Sequence, residues 1–251
     1  MQPVTIIAET SSNAGGNLRR AEEFIKAFAP AADIIKFQLT RVKHLRPDDP
    51  QYDWFRQAEW SPGGARDLTV LCADHHAQAL FTVYHTDDVA ELADITRWPH
   101  LPAIKIGSGE SHQGNLAQAV LAAPFERIYV SEGIRPIHQN YRTDERVRVL
   151  GCVSRYPAPA GIVSDRWKTG QYQGWSDHSI GMNECMLAVH YGAEIIEKHV
   201  QHPLQSRPPQ PWEATAEELL AFREWTRQDP ERFLGRWQHT PATVGVGSIH
   251  R

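Results

Sequence analysis

Eight short apolar runs recur along the chain, most of them followed by a helix-like segment, and this rhythm limits the fold more than any other feature. The runs are VTIIAE (4–9), DIIKFQ (33–38), ALFTVY (79–84), AIKIGS (103–108), RIYVSE (127–132), RVRVLGCV (146–153), GWSDH (174–178) and EIIEKHV (194–200). Their length and β-branched content favour strands over buried helix fragments. Asn17 is placed to cap a helix over 18–29, and residues 65–78 carry apolar positions at helical spacing. Thr86 is expected to cap a helix over 87–93, with Asp87 and Asp88 in its first turn. Further helices are expected over 114–121, within 181–191, and after Thr215, where Glu218 completes a capping box. The weakest link is 135–142, where Pro136 and few apolar residues leave the fifth helix unsupported, while 161–170 suits one or two turns.

Strands alternating with helices imply parallel strands joined by right-handed crossovers. Eight such repeats in 251 residues point to a single-domain (β/α)8 TIM barrel over 1–228, followed by a tail over 229–251. The alternative is an open doubly wound sheet. It would need edge protection, and no dinucleotide-type glycine fingerprint follows the first run. The loops 40–66 and 201–213 fall where a barrel carries its substrate-binding connections.

Charge narrows the function classes. The chain has 26 basic and 30 acidic residues, so no broad basic field supports a nucleic-acid partner. No run approaches the length of a membrane span, and the N-terminus lacks the pattern of a signal peptide. Three cysteines cannot all pair within the chain, and buried thiols in a reducing, cytoplasmic compartment are expected.

Catalytic groups in barrels gather at the C-terminal ends of strands. Those ends carry Glu9; Lys36 and Gln38; Lys105, Ser108 and Glu110; Ser131 and Glu132; Ser154 and Arg155; Ser176, Asp177 and His178; and Glu197, Lys198 and His199. His178 and His199 lie on adjacent expected strands, where two neutral imidazoles suit Zn, Mn, Fe or Co, and Glu9 would add an oxygen across the barrel. Lys36 and Lys105, with Ser108 and Ser176, form a candidate clamp for a phosphate and a carboxylate. The rival chemistry is a Schiff base on Lys105 or Lys198. The residues alone leave both open.

The ordered motifs IIAETSSNAGGN, IIKFQ, IKIGSGE, GCVSRYPAP, GWSDHSIG and AEIIEKHV resemble the catalytic barrel of the sialic acid synthase family, across roughly residues 4–213. Members of that family condense phosphoenolpyruvate with an amino-sugar aldehyde to give nine-carbon 2-keto acids. The resemblance implies His178 and His199 as ligands of a divalent metal, typically Mn, with Mg, Zn, Co or Fe as alternatives. It implies Lys36, Lys105, Ser108 and Ser176 at phosphoenolpyruvate, Glu9 beside the metal, and Glu110 towards the acceptor. Gln38, Ser154 and Arg155 are carried as further substrate-binding candidates.

The resemblance also has gaps. Ala14 and Gly15 stand where the family has His and Asn. Thr82-Val83-Tyr84-His85 replaces a Ser-Thr-Pro-Phe run, Ser131-Glu132-Gly133 replaces Ser-Thr-Gly, and Ser206-Arg207-Pro208-Pro209-Gln210 replaces a Gly-Pro-Asp-His segment. The chain is read as an atypical member without the family's antifreeze-like C-terminal domain. That domain usually reaches over the partner's barrel, so a homodimer here would lack the clasp. The changes concentrate on the acceptor side, with two touching the enolpyruvate side, so the acceptor is expected to be an aldehyde or sugar-like molecule that does not have to be the family's usual one. Arg155, Arg207, Glu132 and the 40–66 loop are candidates to recognise it. A scaffold that has kept its motifs but lost activity, or that only binds a sugar phosphate, is the competing expectation.

Overall fold

The computed structural model describes residues 3–50, 52–61, 63–95, 103–168, 170–203 and 208–228. The tail over 229–251, and Ser206 and Arg207, lie outside the described residues. All eight runs form strands: β1 (Thr5–Glu9), β2 (Ile34–Gln38), β3 (Gln78–Val83), β4 (Ala103–Ile106), β5 (Arg127–Glu132), β6 (Val147–Cys152), β7 (Gly174–Asp177) and β8 (Ile195–His199). They pair in parallel in chain order and close, β8 returning to β1, so the barrel expectation holds and the open sheet does not.

The helices are α1 (Leu18–Phe28), α2 (Tyr52–Ala58), α3 (Gly64–Asp74), α4 (Thr86–Ile95), α5 (Gly114–Ala122), α6 (Ile162–Trp167), α7 (Asn183–His190) and α8 (Ala216–Arg227). Asn17 caps α1 by accepting the Arg20 amide hydrogen, and Thr215 and Glu218 make the expected reciprocal box at α8. Two expectations change. Thr86 lies inside α4, and Asp88 accepts the Tyr84 and His85 amides ahead of it. The helix placed over 65–78 ends at Asp74, because 78 onward is claimed by β3. Between β5 and β6 there is only a 3-10 turn (Gln139–Thr143), consistent with Pro136 and the lack of an apolar stripe. The 40–66 connection also holds α2, a short helix absent from the sequence reading.

Two apolar bodies support the barrel. The larger lies between the strands and the helices, with Ile6, Ala8, Ile35, Phe37, Phe81, Ile104, Val130, Trp175 and Ile196 on the outward faces of the strands. The smaller is a plug of Ile7, Ile34, Leu80, Ala103, Tyr129, Leu150 and Ile195 inside the barrel. Side chains alternate along each strand, so the residue two positions after each plug member also faces inward. Those residues are Glu9, Lys36, Thr82, Lys105, Ser131, Cys152 and Glu197. A polar layer therefore sits directly above an apolar one on the same strands.

Candidate active site

The polar layer is a charge cluster closed on itself. Lys36 pairs with Glu9 and with Glu197, the latter at 2.9 Å, and all three side chains are almost wholly buried. Lys105 lies 3.8 Å from the same Glu197 oxygen and donates to Ser131 Oγ at 2.6 Å and to the Ile106 carbonyl at 3.2 Å. Ser176 donates to Glu197 Oε1 at 2.7 Å. One carboxylate from β8 thus gathers β2, β4 and β7. Burial opposes ionisation of Glu197, but the Lys105 and Lys36 ammonium groups outweigh it and hold the carboxyl below the usual range. Lys36 is lowered to about 8, mainly by burial, with Glu197 acting the other way. Glu197 Oε2 is buried with no hydrogen-bond partner among the described residues, so one strong acceptor is left for an incoming donor.

Just above, the two histidines meet. The His178 and His199 ring centroids lie 5.2 Å apart. The Val153 carbonyl at 2.8 Å engages His178 Nδ1, and Ser11 Oγ at 2.8 Å engages His199 Nδ1. Each ring is thereby oriented with Nε2 directed away from its anchor, the arrangement that outer-shell partners give to metal-binding imidazoles. Burial lowers the pKa of both, and for His199 the neighbouring His178 and Lys36 push it further, which favours the neutral form of both rings. Among the described residues, no group of three or more His, Cys, Asp or Glu side chains is arranged to hold a metal ion. The donor set fits an ion shared by two imidazoles. Glu9, expected as a third ligand, has one oxygen on Lys36 and the other on the Ser11 amide.

The remaining candidates separate. Ser108 Oγ lies 2.6 Å from Ser154 Oγ, which itself lies 3.8 Å from Cys152 Sγ, so these two serines share one rim of the mouth. Gln38 accepts from Ser12 Oγ at 3.1 Å on another. Glu110 is partly buried, and desolvation raises its pKa. Arg155 is exposed on the loop after β6. Lys198 does not reach the mouth. It faces outward from β8, fully buried, and pairs with Asp177 at 2.5 Å, so it cannot be a Schiff-base lysine for a substrate in the barrel. Glu132 is likewise turned outward and held by Arg142 at 2.7 and 2.9 Å, which removes it from acceptor recognition.

Sequence reasoning gave no role to three groups. Glu197 was named among the strand-end residues without one, although it shares a face of β8 with His199. Thr82 stood in a run read as a departure, yet its hydroxyl is buried without a partner among the described residues, and it is registered against Lys105. Tyr156 lies against His178 with ring centroids 4.3 Å apart and the planes tilted by 39°, its hydroxyl 3.2 Å from Nε2, and Trp212 packs at its edge at 5.5 Å. These two aromatics come from separate loops, and nothing in the spacing announced their meeting.

Several known proteins are similar to this chain in sequence or fold. A pseudaminic acid synthase of Campylobacter jejuni is 28% identical over 223 residues, covering 78% of this chain and 64% of that protein. The human N-acetylneuraminate-9-phosphate synthase is 25% identical over 228 residues, covering 79% and 62%. The chain therefore spans just under two thirds of the length of these relatives. The crystal structure of an N-acetylneuraminic acid synthetase from Leptospira borgpetersenii, in complex with citrate, superposes with a TM-score of 0.78 over 98% of this chain and 88% of that one, at 24% identity, and shares its fold. The model of the NeuB family matches residues 24–220, from within α1 into α8, and spans the strands that carry Lys36, Lys105, Glu197 and both histidines. The chain belongs to the NeuB family.

Proposed function

We propose that this barrel joins phosphoenolpyruvate to an aldehyde or open-chain sugar, releasing phosphate and forming a 2-keto acid. The observation that carries the reading is the convergence of two buried lysines on Glu197, directly beneath two neutral, anchored imidazoles. The names of the two relatives given above, a pseudaminic acid synthase and an N-acetylneuraminate-9-phosphate synthase, point the same way. Lys36 and Lys105 hold the phosphate and carboxylate of phosphoenolpyruvate, with hydroxyls from Thr82, Ser108, Ser131 and Ser176 completing the cradle. His178 and His199 would hold a divalent ion, Mn foremost, which when bound supplies Lewis-acid polarisation of the acceptor carbonyl.

The carbon–carbon bond forms between C3 of phosphoenolpyruvate and the acceptor carbonyl carbon, whose oxygen takes up a proton. Water adds at C2, and breaking the C2–O bond releases phosphate and leaves the ketone. Glu110, whose burial favours the protonated form, is suited to give the proton, and Glu9, held by Lys36 and the Ser11 amide, to accept one from water. Tyr156 lies beside both histidines, with Trp212 at its edge, and these rings border the mouth on that side. A reaction on this small-molecule pair suits a cytoplasmic enzyme. No helix among the described residues is long and apolar enough to cross a membrane.

The test is a screen of aldehydes and phosphosugars with phosphoenolpyruvate, using protein stripped of metal and then reloaded with Mn. Metal-dependent phosphate release is expected, with loss in His178→Ala, and release that survives this substitution rejects the metal role. A Schiff base on Lys105 is the second reading, favoured by its burial within the barrel. Borohydride trapping of a 2-keto acid on Lys105 would establish it in place of the metal route. Binding of sugar phosphates without any phosphate release would instead identify a binding protein.

A further inference from the structure

Among the described strand residues, the outward faces of the barrel are apolar except for Glu132 at the end of β5 and one pair between β7 and β8. Asp177 on β7 and Lys198 on β8 are registered opposite each other, and both are buried between the barrel wall and the helices, at 1% and 0% exposure. Lys198 Nζ donates to Asp177 Oδ2 at 2.5 Å and to the Ser179 carbonyl at 2.6 Å. Asp177 Oδ1 accepts the Ser179 amide at 3.2 Å, and Oδ2 accepts the Ser179 hydroxyl at 2.9 Å and the Cys185 thiol at 3.6 Å. His178 is the residue between Asp177 and Ser179, and His199 directly follows Lys198. Both residues flanking one imidazole, and the residue preceding the other, are therefore fastened into a single cluster.

A buried ion pair is a weak source of stability, because desolvation offsets most of the attraction and an apolar pair of similar volume does as well or better. The surrounding positions follow that logic, with Trp175 and Ile196 on the same outer face. An ion pair has one favourable alignment across two strands, whereas apolar side chains tolerate several, so a buried pair is suited to specifying register. We propose that the buried Asp177–Lys198 pair is the positioning device that sets the relative height and facing of His178 and His199 at the mouth. The pair acts from behind the wall and touches no substrate. The inference rests on the two-imidazole metal site proposed above, and its test separates the two.

The experiment compares the intact chain with the double variant Asp177→Asn/Lys198→Met, which removes both charges and nearly preserves shape. Three quantities are measured: thermal unfolding, Co(II) titration followed by visible absorption, and the metal-free crystal structure. The expected result is a folded variant with Tm within a few degrees of the parent. Its Co(II) affinity falls roughly 10- to 100-fold, as for lost outer-shell support. Its Co(II) spectrum is altered, and its His178–His199 ring separation departs from 5.2 Å. Unchanged affinity, spectrum and ring separation overturn the inference. If the parent itself binds no Co(II), the metal reading fails, and the ring separation alone decides the positioning role. If the double variant does not fold, Ser179→Ala, which removes one donor to Asp177, is expected to weaken Co(II) roughly threefold with the fold intact. No change there overturns the inference as well.

Discussion

The lower and upper halves of the barrel interior are built from the same strands, two residues apart, and obey opposite rules. Below, the plug of Ile7, Ile34, Leu80, Ala103, Tyr129, Leu150 and Ile195 fills the interior by packing. Above it, Glu9, Lys36, Lys105 and Glu197 are held in place by mutual charge. The plug gives the polar layer a dry floor, which strengthens every interaction above it. In return the polar layer contributes chemistry and little net stability. The lesson is that a barrel separates stability from function by height, at a cost of one pleat.

The most severe challenge to this division is Lys36→Met. It strips Glu9 and Glu197 of their shared ammonium, and phosphate release should drop roughly 10²- to 10³-fold. It should also destabilise by about 3–5 kcal/mol, because two carboxylates are left poorly compensated. Steady-state kinetics and urea unfolding read the two effects, and a variant as active as the parent would break the comparison. In the lower half, Leu80→Ala should cost about 2–5 kcal/mol in the same urea experiment while leaving kcat per folded molecule unchanged. A matching loss of kcat would mean the halves are not separable.

A gentler probe is pH. On the proposed reading phosphoenolpyruvate binds to the charged form of Lys36, whose folded-state pKa is lowered to about 8. The Kd for phosphoenolpyruvate should be flat below that value and rise by up to about tenfold per pH unit above it. Between about 8 and the unfolded value of 10.5, the unfolded chain binds more protons at this lysine than the folded one, so this group makes stability rise with pH in that window. Calorimetric titration and thermal melts across pH 7–10 check both signs. The smallest effect belongs far from the interior. Thr215→Ala removes the α8 cap and should cost about 1 kcal/mol with no change in Kd.

Much of the fold was legible because its signals are local. Each strand is a short apolar run, and Asn17, Thr215 and Glu218 announce helix starts through bonds made within three residues. Pro136 warned that the fifth helix was doubtful, and a 3-10 turn stands there. The candidate site was legible as a set of strand ends, and the structure gathers His178, His199, Lys36, Lys105 and Ser176 at one mouth of the barrel. Glu132 and Lys198 were misplaced for a single reason. Strands buried on both faces show no polar–apolar alternation, so a run such as EIIEKHV does not reveal which parity faces inward.

The sequence alone determined eight strands, their parallel order, the family motifs and the height at which the polar residues occur. These follow from local propensity and from chain connectivity. Only the tertiary structure decided which side of the wall each polar residue occupies. It placed Glu197 at the centre, Lys198 behind the wall with Asp177, and Tyr156 over His178. Closing the sheet fixes the inward parity of all the strands together, and no single strand carries that information.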